Sequence, residues 1–255
     1  MLFVISPAKT LDFDSKPQTE TYSNSVFLAE SETLIKKLRT VSESKLQDLM
    51  KISDNLASLN KERYANWKKE MSLPEAKQAL LAFRGDVYQG MEAENFSETD
   101  FEFSQSHLRI LSGLYGMLKP LDLMLPYRLE MGTKLEVGKS KNLYAFWDGK
   151  VTEKLNEDLK NHHSKTLINL ASNEYFKVVQ SKNLEAEIIT PVFKDFKNGK
   201  YKVISFFAKK ARGMMASFAI KNQLSNPEKL KNFDLGGYAY NEDASKENEW
   251  VFLRG

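Results

Sequence analysis

The chain of 255 residues is 42% hydrophobic and 28% charged, a globular balance without the composition of a disordered tail. It has no cysteine, which excludes disulfides, thiolate nucleophiles and cysteine-ligated metals, and its three histidines (His107, His162, His163) have no metal-ligand spacing, so neither metal nor cofactor is expected. Net charge is only +3 and no apolar run approaches the ~18–20 residues of a membrane span, which predicts a cytoplasmic protein without a membrane partner.

The opening MLFVISPAKTLDF lacks a basic segment before its apolar run and reads as a strand, not as a signal peptide. Residues 2–5 form a buried-strand pattern that ends at Ser6-Pro7-Ala8-Lys9-Thr10. Ligands of α/β folds collect beyond the carboxyl ends of strands, which makes Ser6 and Lys9 candidate site residues. Phe27, Leu28, Leu34, Ile35 and Leu38 then have helical spacing. Residues 46–64, LQDLMKISDNLASLNKERY, read as a short helix, a tight hairpin and a second helix. This element, within 45–67, resembles the helix-hairpin-helix pattern of nonspecific DNA binders, whose hairpin N–H groups hold a phosphate. Here Met50, Lys51 and Ser53 replace the usual Pro, Gly and Gly. Lys51 can neutralise a phosphate and Ser53 can cap the second helix; a plain helical hairpin fits the same residues.

Ser72-Leu73-Pro74-Glu75 signals a helix start, with proline in the first turn. Phe83–Tyr88 reads as an element end presenting Arg84, Asp86 and Tyr88. Ser97 with Asp100 forms a capping-box variant, opening a helix that ends near His107 and feeds a buried strand at 108–111. Glycines at 113 and 116 and prolines at 120 and 126 then make a stiff, irregular segment. It presents Tyr115, Tyr127, Arg128 and Glu130, and suits either the floor of a binding site or an ordinary strand–loop connection.

Residues 142–161 carry one helical pattern, ending at a His162-His163 pair read as solvated. A strand at 166–170 enters the turn Ala171-Ser172-Asn173-Glu174-Tyr175. Strands at 188–193 and 201–207 flank an Asn198-Gly199 turn, a strong hairpin signal. Lys209-Lys210-Ala211-Arg212-Gly213 starts a helix running to about Asn222, and a final strand covers 250–253. Alternating strands and helices with one antiparallel hairpin predict an α/β (mixed α+β) fold. A single domain over 1–255 would hold a central mixed sheet flanked by helices.

No nucleophile elbow, Walker motif or dinucleotide-binding glycine motif is present. Asp86, Glu130 and Glu174 are candidates for general acid–base work, and structural ion pairs explain them equally well.

The motifs SPAKTLDF (6–13), AFRGDVYQGM (82–91), LRILSGLYGMLKPLDLMLPYRLEMG (108–132), INLASNEYF (168–176) and ISFFAKKARGMM (204–215) together resemble the bacterial YaaA family of peroxide stress proteins over essentially the whole chain. The resemblance implies a cytosolic DNA-binding protein with a mixed α/β fold, a helix-hairpin-helix element and a positively charged cleft. It also implies a role in limiting intracellular iron and oxidative DNA damage under hydrogen peroxide. Without cysteine the chain is not expected to hold iron by soft ligands, so lowered iron would be indirect or protection would act at the DNA.

On this reading Lys9, Lys51, Arg84, Lys209, Lys210 and Arg212 contact phosphates, with Ser53 and Arg128 also on the nucleic-acid side. Tyr88, Tyr115 and Tyr127 would stack on unpaired or extruded bases. The expected partner of this monomer is DNA, double-stranded or with unpaired bases. The alternative is an enzyme acting on a nucleobase, nucleotide or other small anionic substrate, because Ser6, Asp86, Glu130, Asn173 and Glu174 recur at predicted element ends.

Overall fold

A computed structural model describes all residues from Met1 to Gly255. Leu2–Ile5 (β1) is buried at every position, as an apolar run without alternation requires. It is joined by Leu108–Ser112 (β2), Gly116–Leu118 (β3), Thr166–Leu170 (β4), Glu187–Lys197 (β5), Lys200–Lys202 (β6), Ala239–Tyr240 (β7) and Glu249–Arg254 (β8) in one eight-stranded sheet. The order is β7-β8-β5-β4-β1-β2-β3, with β6 on β5. Strands β2, β1, β4, β5 and β8 run parallel, and β3, β6 and β7 are antiparallel to their neighbours. The sheet is mixed, as expected.

The topology fixes where a ligand would sit. From β1 the chain returns to the sheet at β2 on one side, whereas from β4 it continues to β5 on the other. The segments leaving β1 and β4 therefore diverge, and open a crevice at their carboxyl ends.

The principal helices are Leu28–Thr40 (α1), Glu43–Met50 (α2), Asp54–Asn66 (α3), Asp86–Met91 (α4), Glu98–His107 (α5), Lys150–Lys160 (α6) and Ser205–Lys221 (α7). Ser97 and Asp100 form the complete capping box at the start of α5. In α6, Val151, Leu155 and Leu159 are buried one turn apart, the apolar stripe its spacing dictates. One contiguous core of 67 buried residues reaches from Met1 to Phe252.

Four local expectations are corrected. The proline at 74 starts no helix: residues 73–75 form a turn and 76 a bend, followed by the two-residue strand Lys77–Gln78. The 142–161 pattern is two helices, Leu143–Phe146 and α6, broken at Asp148-Gly149. The strand after Asn198-Gly199 stops at Lys202, and α7 begins at Ser205 because Ala208, Ala211 and Met215 bury one helical face. A short run of β-branched and aromatic residues satisfies either period. His162 is half-buried rather than solvated: it packs edge-on against His107, with ring centroids 4.7 Å apart.

That last packing predicts a pH dependence. Burial, then the positive charges of the amino terminus and its neighbours, lowers the His162 pKa to about 4. Burial and Lys165 lower the Met1 α-amino group to about 6. Both bases hold fewer protons folded than unfolded, so their stabilisation is complete above their unfolded values of ~6.5 and ~8 and is lost as pH falls through the folded ones. The melting temperature should decline as pH drops from about 8 to about 4, and His162→Gln should flatten the lower part of that decline.

Candidate cleft at the carboxyl edge of the sheet

Ser6 and Ser172 leave the carboxyl ends of β1 and β4 and meet across the crevice. The Ser172 N–H donates to Ser6 Oγ at 2.9 Å, and Ser6 Oγ donates to Ser172 Oγ at 3.2 Å. The Tyr88 hydroxyl donates to the Ser6 carbonyl at 3.1 Å, and Thr10 pairs with Arg84, which seats the 84–88 turn on the 6–10 loop. Lys9 lies 3.4 Å from Glu130, and the Gly132 N–H donates to Glu174 Oε1 at 3.1 Å. Lys209 reaches Asp86 at 3.7 Å. Segments 6–10, 84–88, 128–132 and 172–176 are thus linked contact to contact beside the crevice, and 209–212 joins them through Asp86.

Its charges are only partly spent on one another. Glu130 Oε1 takes both Lys9 and Arg128, the latter at 3.1 Å, while Glu130 Oε2 is buried with no partner. Arg84 is committed to Asp12 through Nε at 3.1 Å and a terminal nitrogen at 2.9 Å. Burial pushes the Asp12 pKa up, but hydrogen bonds from Ser15 and Arg84 and the Lys77 charge outweigh it and hold Asp12 well below the usual carboxylate range. Arg212 differs. It is half-buried and makes no ion pair, and burial alone lowers its pKa. Helical spacing sets it one turn beyond Lys209, on the same side of α7.

The helical hairpin stands at the rim. Lys51 itself adopts the left-handed conformation (φ 53°, ψ 55°) that ends α2, the conformation for which a glycine is favoured. Ser53 occupies the capping position of α3, but its side chain accepts no hydrogen bond there. Lys45, Asp48, Leu49, Lys51, Gly132 and Lys134 line a cavity of about 500 Å³. Through Gly132 this cavity adjoins Glu174 and the cleft.

The three tyrosines expected to stack on bases do not. Tyr88, Tyr115 and Tyr127 are buried. Tyr115 accepts from Trp67 Nε1 at 2.9 Å and from the Leu125 N–H at 3.1 Å. Tyr127 shares a 2.6 Å hydrogen bond with Ser112, and the Tyr64 hydroxyl donates to the Arg128 carbonyl. These rings form the wall behind the cleft. The exposed aromatics are Tyr22, Phe196, Tyr201, Phe206 and Phe207, none of which the sequence marked as a site residue. A signal was present: no Asp or Glu occurs from 196 to 227, while Lys197, Lys200, Lys202, Lys209, Lys210, Arg212 and Lys221 do. Lys45 and Lys134 line the rim cavity without a local motif to mark them, and Ser172 comes from the INLASNEYF motif without having been named as a site residue.

An open sheet of parallel and antiparallel strands flanked by helices, with charged side chains beside its switch point, makes this a protein of the mixed α/β class. More narrowly, the chain belongs to the family described as peroxide stress protein YaaA, whose model matches residues 1–244. It is 56% identical to a UPF0246 protein of Teredinibacter turnerae, over all of this chain and 99% of the relative. It is 54% identical to one of Aliivibrio fischeri and 55% identical to one of Shewanella, again over all of this chain and 98% and 99% of theirs. The resemblance read from the motifs holds over the full length, and it supports a place in the peroxide stress response.

Proposed function

We propose that this protein binds DNA during peroxide stress in the cytoplasm, with the phosphate backbone lying across the cleft from Arg212 and Lys210 to the helical hairpin. One observation carries this reading. Lys45, Lys51 and Lys134 line the rim cavity together with Asp48, and Lys210 and Arg212 belong to the turn of α7 that carries Lys209; none of the five cations has an acidic partner within ion-pair distance. A desolvated guanidinium without a counter-charge costs stability, and a phosphate would supply the missing charge. Lys9, Arg84, Arg128 and Lys209 are already paired with carboxylates and contribute less. With no cysteine in the chain, any limitation of intracellular iron is read as indirect.

Binding of a labelled duplex should weaken steeply with salt, with a log–log slope of about −0.9 per phosphate neutralised. A slope near zero would remove the phosphate-clamp reading.

Glu130 favours a second reading, an enzyme acting on a nucleobase, nucleotide or other small anionic substrate. A phosphate clamp has no use for a buried carboxylate oxygen left without a partner, whereas a substrate amine or hydroxyl could donate to it. Incubation with nucleotides and single-stranded or damaged DNA, followed by mass spectrometry, separates the two. A product lost in Glu130→Gln supports catalysis, and unchanged substrates with bound DNA support the clamp.

A further inference from the structure

Strand β5 does not end where its neighbour does. Its parallel register sets Thr166 opposite Glu187 and Ile168 opposite Ile189, which brings the last residue of β4, Leu170, level with Pro191. The strand runs on for six more residues, about 20 Å at ~3.3 Å per residue, past the edge where the cleft opens. One flank of this extension is held by β8 as far as Asp195, which faces Arg254. Asp195 also faces Lys202 of β6, so β6 must take the opposite flank, the one β4 has vacated. The β5–β6 ribbon therefore stands in line with β4, above Ser172.

Its side chains are only lightly packed: the Tyr201 hydroxyl donates to the Gly255 carbonyl at 2.6 Å and Phe196 lies beside Gly255, but the ring faces stay open. Phe196 and Tyr201 are register partners on one face, with ring centroids 5.2 Å apart, yet they are 53% and 41% exposed. The alternate face carries Lys197 opposite Lys200, and Lys202 beyond them. Phe206, 52% exposed, follows at the start of α7. No acid occurs from Phe196 to the end of α7. A second copy of the chain is a poor occupant, because the lysines of two ribbons would repel each other along the edge. A duplex keeps its bases stacked inside and offers the rings nothing flat to lie on. A single strand offers phosphates to the lysines and bare bases to the rings.

We infer that the β5–β6 ribbon is a stacking arm for single-stranded nucleic acid, taking bases on Phe196 and Tyr201 and phosphates on Lys197, Lys200 and Lys202. This rests on the proposed DNA binding and names the strand form that the ribbon selects. The arm continues the cleft, so one strand can cross from Arg212 to the ribbon.

The test compares a labelled oligothymidylate with a hairpin duplex, using the full chain. Phe196→Ala/Tyr201→Ala should lose about tenfold or more in single-strand affinity, the scale of one or two lost base stacks, with duplex affinity and the salt slope unchanged. Phe196→Leu/Tyr201→Leu keeps the apolar volume without the flat ring, so it should lose the same affinity while melting like the wild type. Lys197→Gln/Lys200→Gln/Lys202→Gln should lower the single-strand salt slope by about 2. Unchanged single-strand affinity in the aromatic variants, with the wild type bound, overturns the arm and leaves DNA binding in place. A wild type that binds neither form overturns both. Loss of binding to phosphatidylserine-rich vesicles in the aromatic variants, at unchanged single-strand affinity, reassigns the ribbon to a membrane surface and overturns the inference.

Discussion

Gly213→Ala should be the most damaging small substitution in the chain, costing about 3 kcal/mol or more. A Cβ at 213 would lie 1.8 Å from the Val87 carbonyl oxygen and 2.9 Å from the Met91 nitrogen, both backbone atoms that no rotamer change can move. The same contact is closed from the other side, where a Cβ at Gly90 would lie 2.0 Å from the Lys210 carbonyl. Helices α4 and α7 thus meet backbone to backbone, and the added methyl must push them apart. In a chain of this size each kcal/mol lowers the melting temperature by roughly 2–4 °C, so thermal unfolding reads the effect directly. Gly138→Ala is the control. It has a left-handed φ of 59° but nothing within 4 Å, and should cost only the backbone term of about 1 kcal/mol. Because α7 carries Lys209, Lys210 and Arg212 and α4 carries Asp86, displacing the pair should also weaken DNA binding.

Arg212→Gln should have the opposite signature. Removing a half-buried guanidinium that has no acidic partner relieves a desolvation cost, so the melting temperature should stay level or rise. Duplex affinity should fall by about tenfold or more, the scale of a charged hydrogen bond to phosphate. Adding Lys210→Gln should bring the salt slope down by about 2 in total. Lys9→Gln should cost less, because Lys9 already spends its charge on Glu130 at 3.4 Å. Equal losses for Lys9 and Arg212 would mean that the pairing within the cleft does not govern which cations meet DNA.

Much of the fold was legible because local chemistry decides it. An unbroken apolar run at 2–5, a capping box at Ser97 and Asp100, and Asn198-Gly199 between two apolar runs each specify their element without help from elsewhere. The helical hairpin was legible as two helices, but not that a lysine would take the left-handed position at its turn. The tyrosines misled for a physical reason. A tyrosine between glycines or after a proline reads alike whether its ring points out or in, and here Trp67, far away in sequence, and Ser112, at the end of β2, hold the hydroxyls of Tyr115 and Tyr127 inside. The state of the cations was hidden too. Nothing near Arg84 in sequence says that Asp12 will neutralise it, or that Arg212 will be left alone. The ribbon aromatics escaped notice because their run satisfied the strand period, and exposure has no sequence period of its own.

Hydrogen–deuterium exchange of the full chain, with and without saturating duplex DNA, tests the central claim most directly. Protection should appear at 6–10, 84–88, 128–132, 172–176 and 209–212 and at the 51–53 turn. Protection confined to the opposite end of the sheet, around His107 and His162, or no change at saturation, would contradict the cleft as the DNA site.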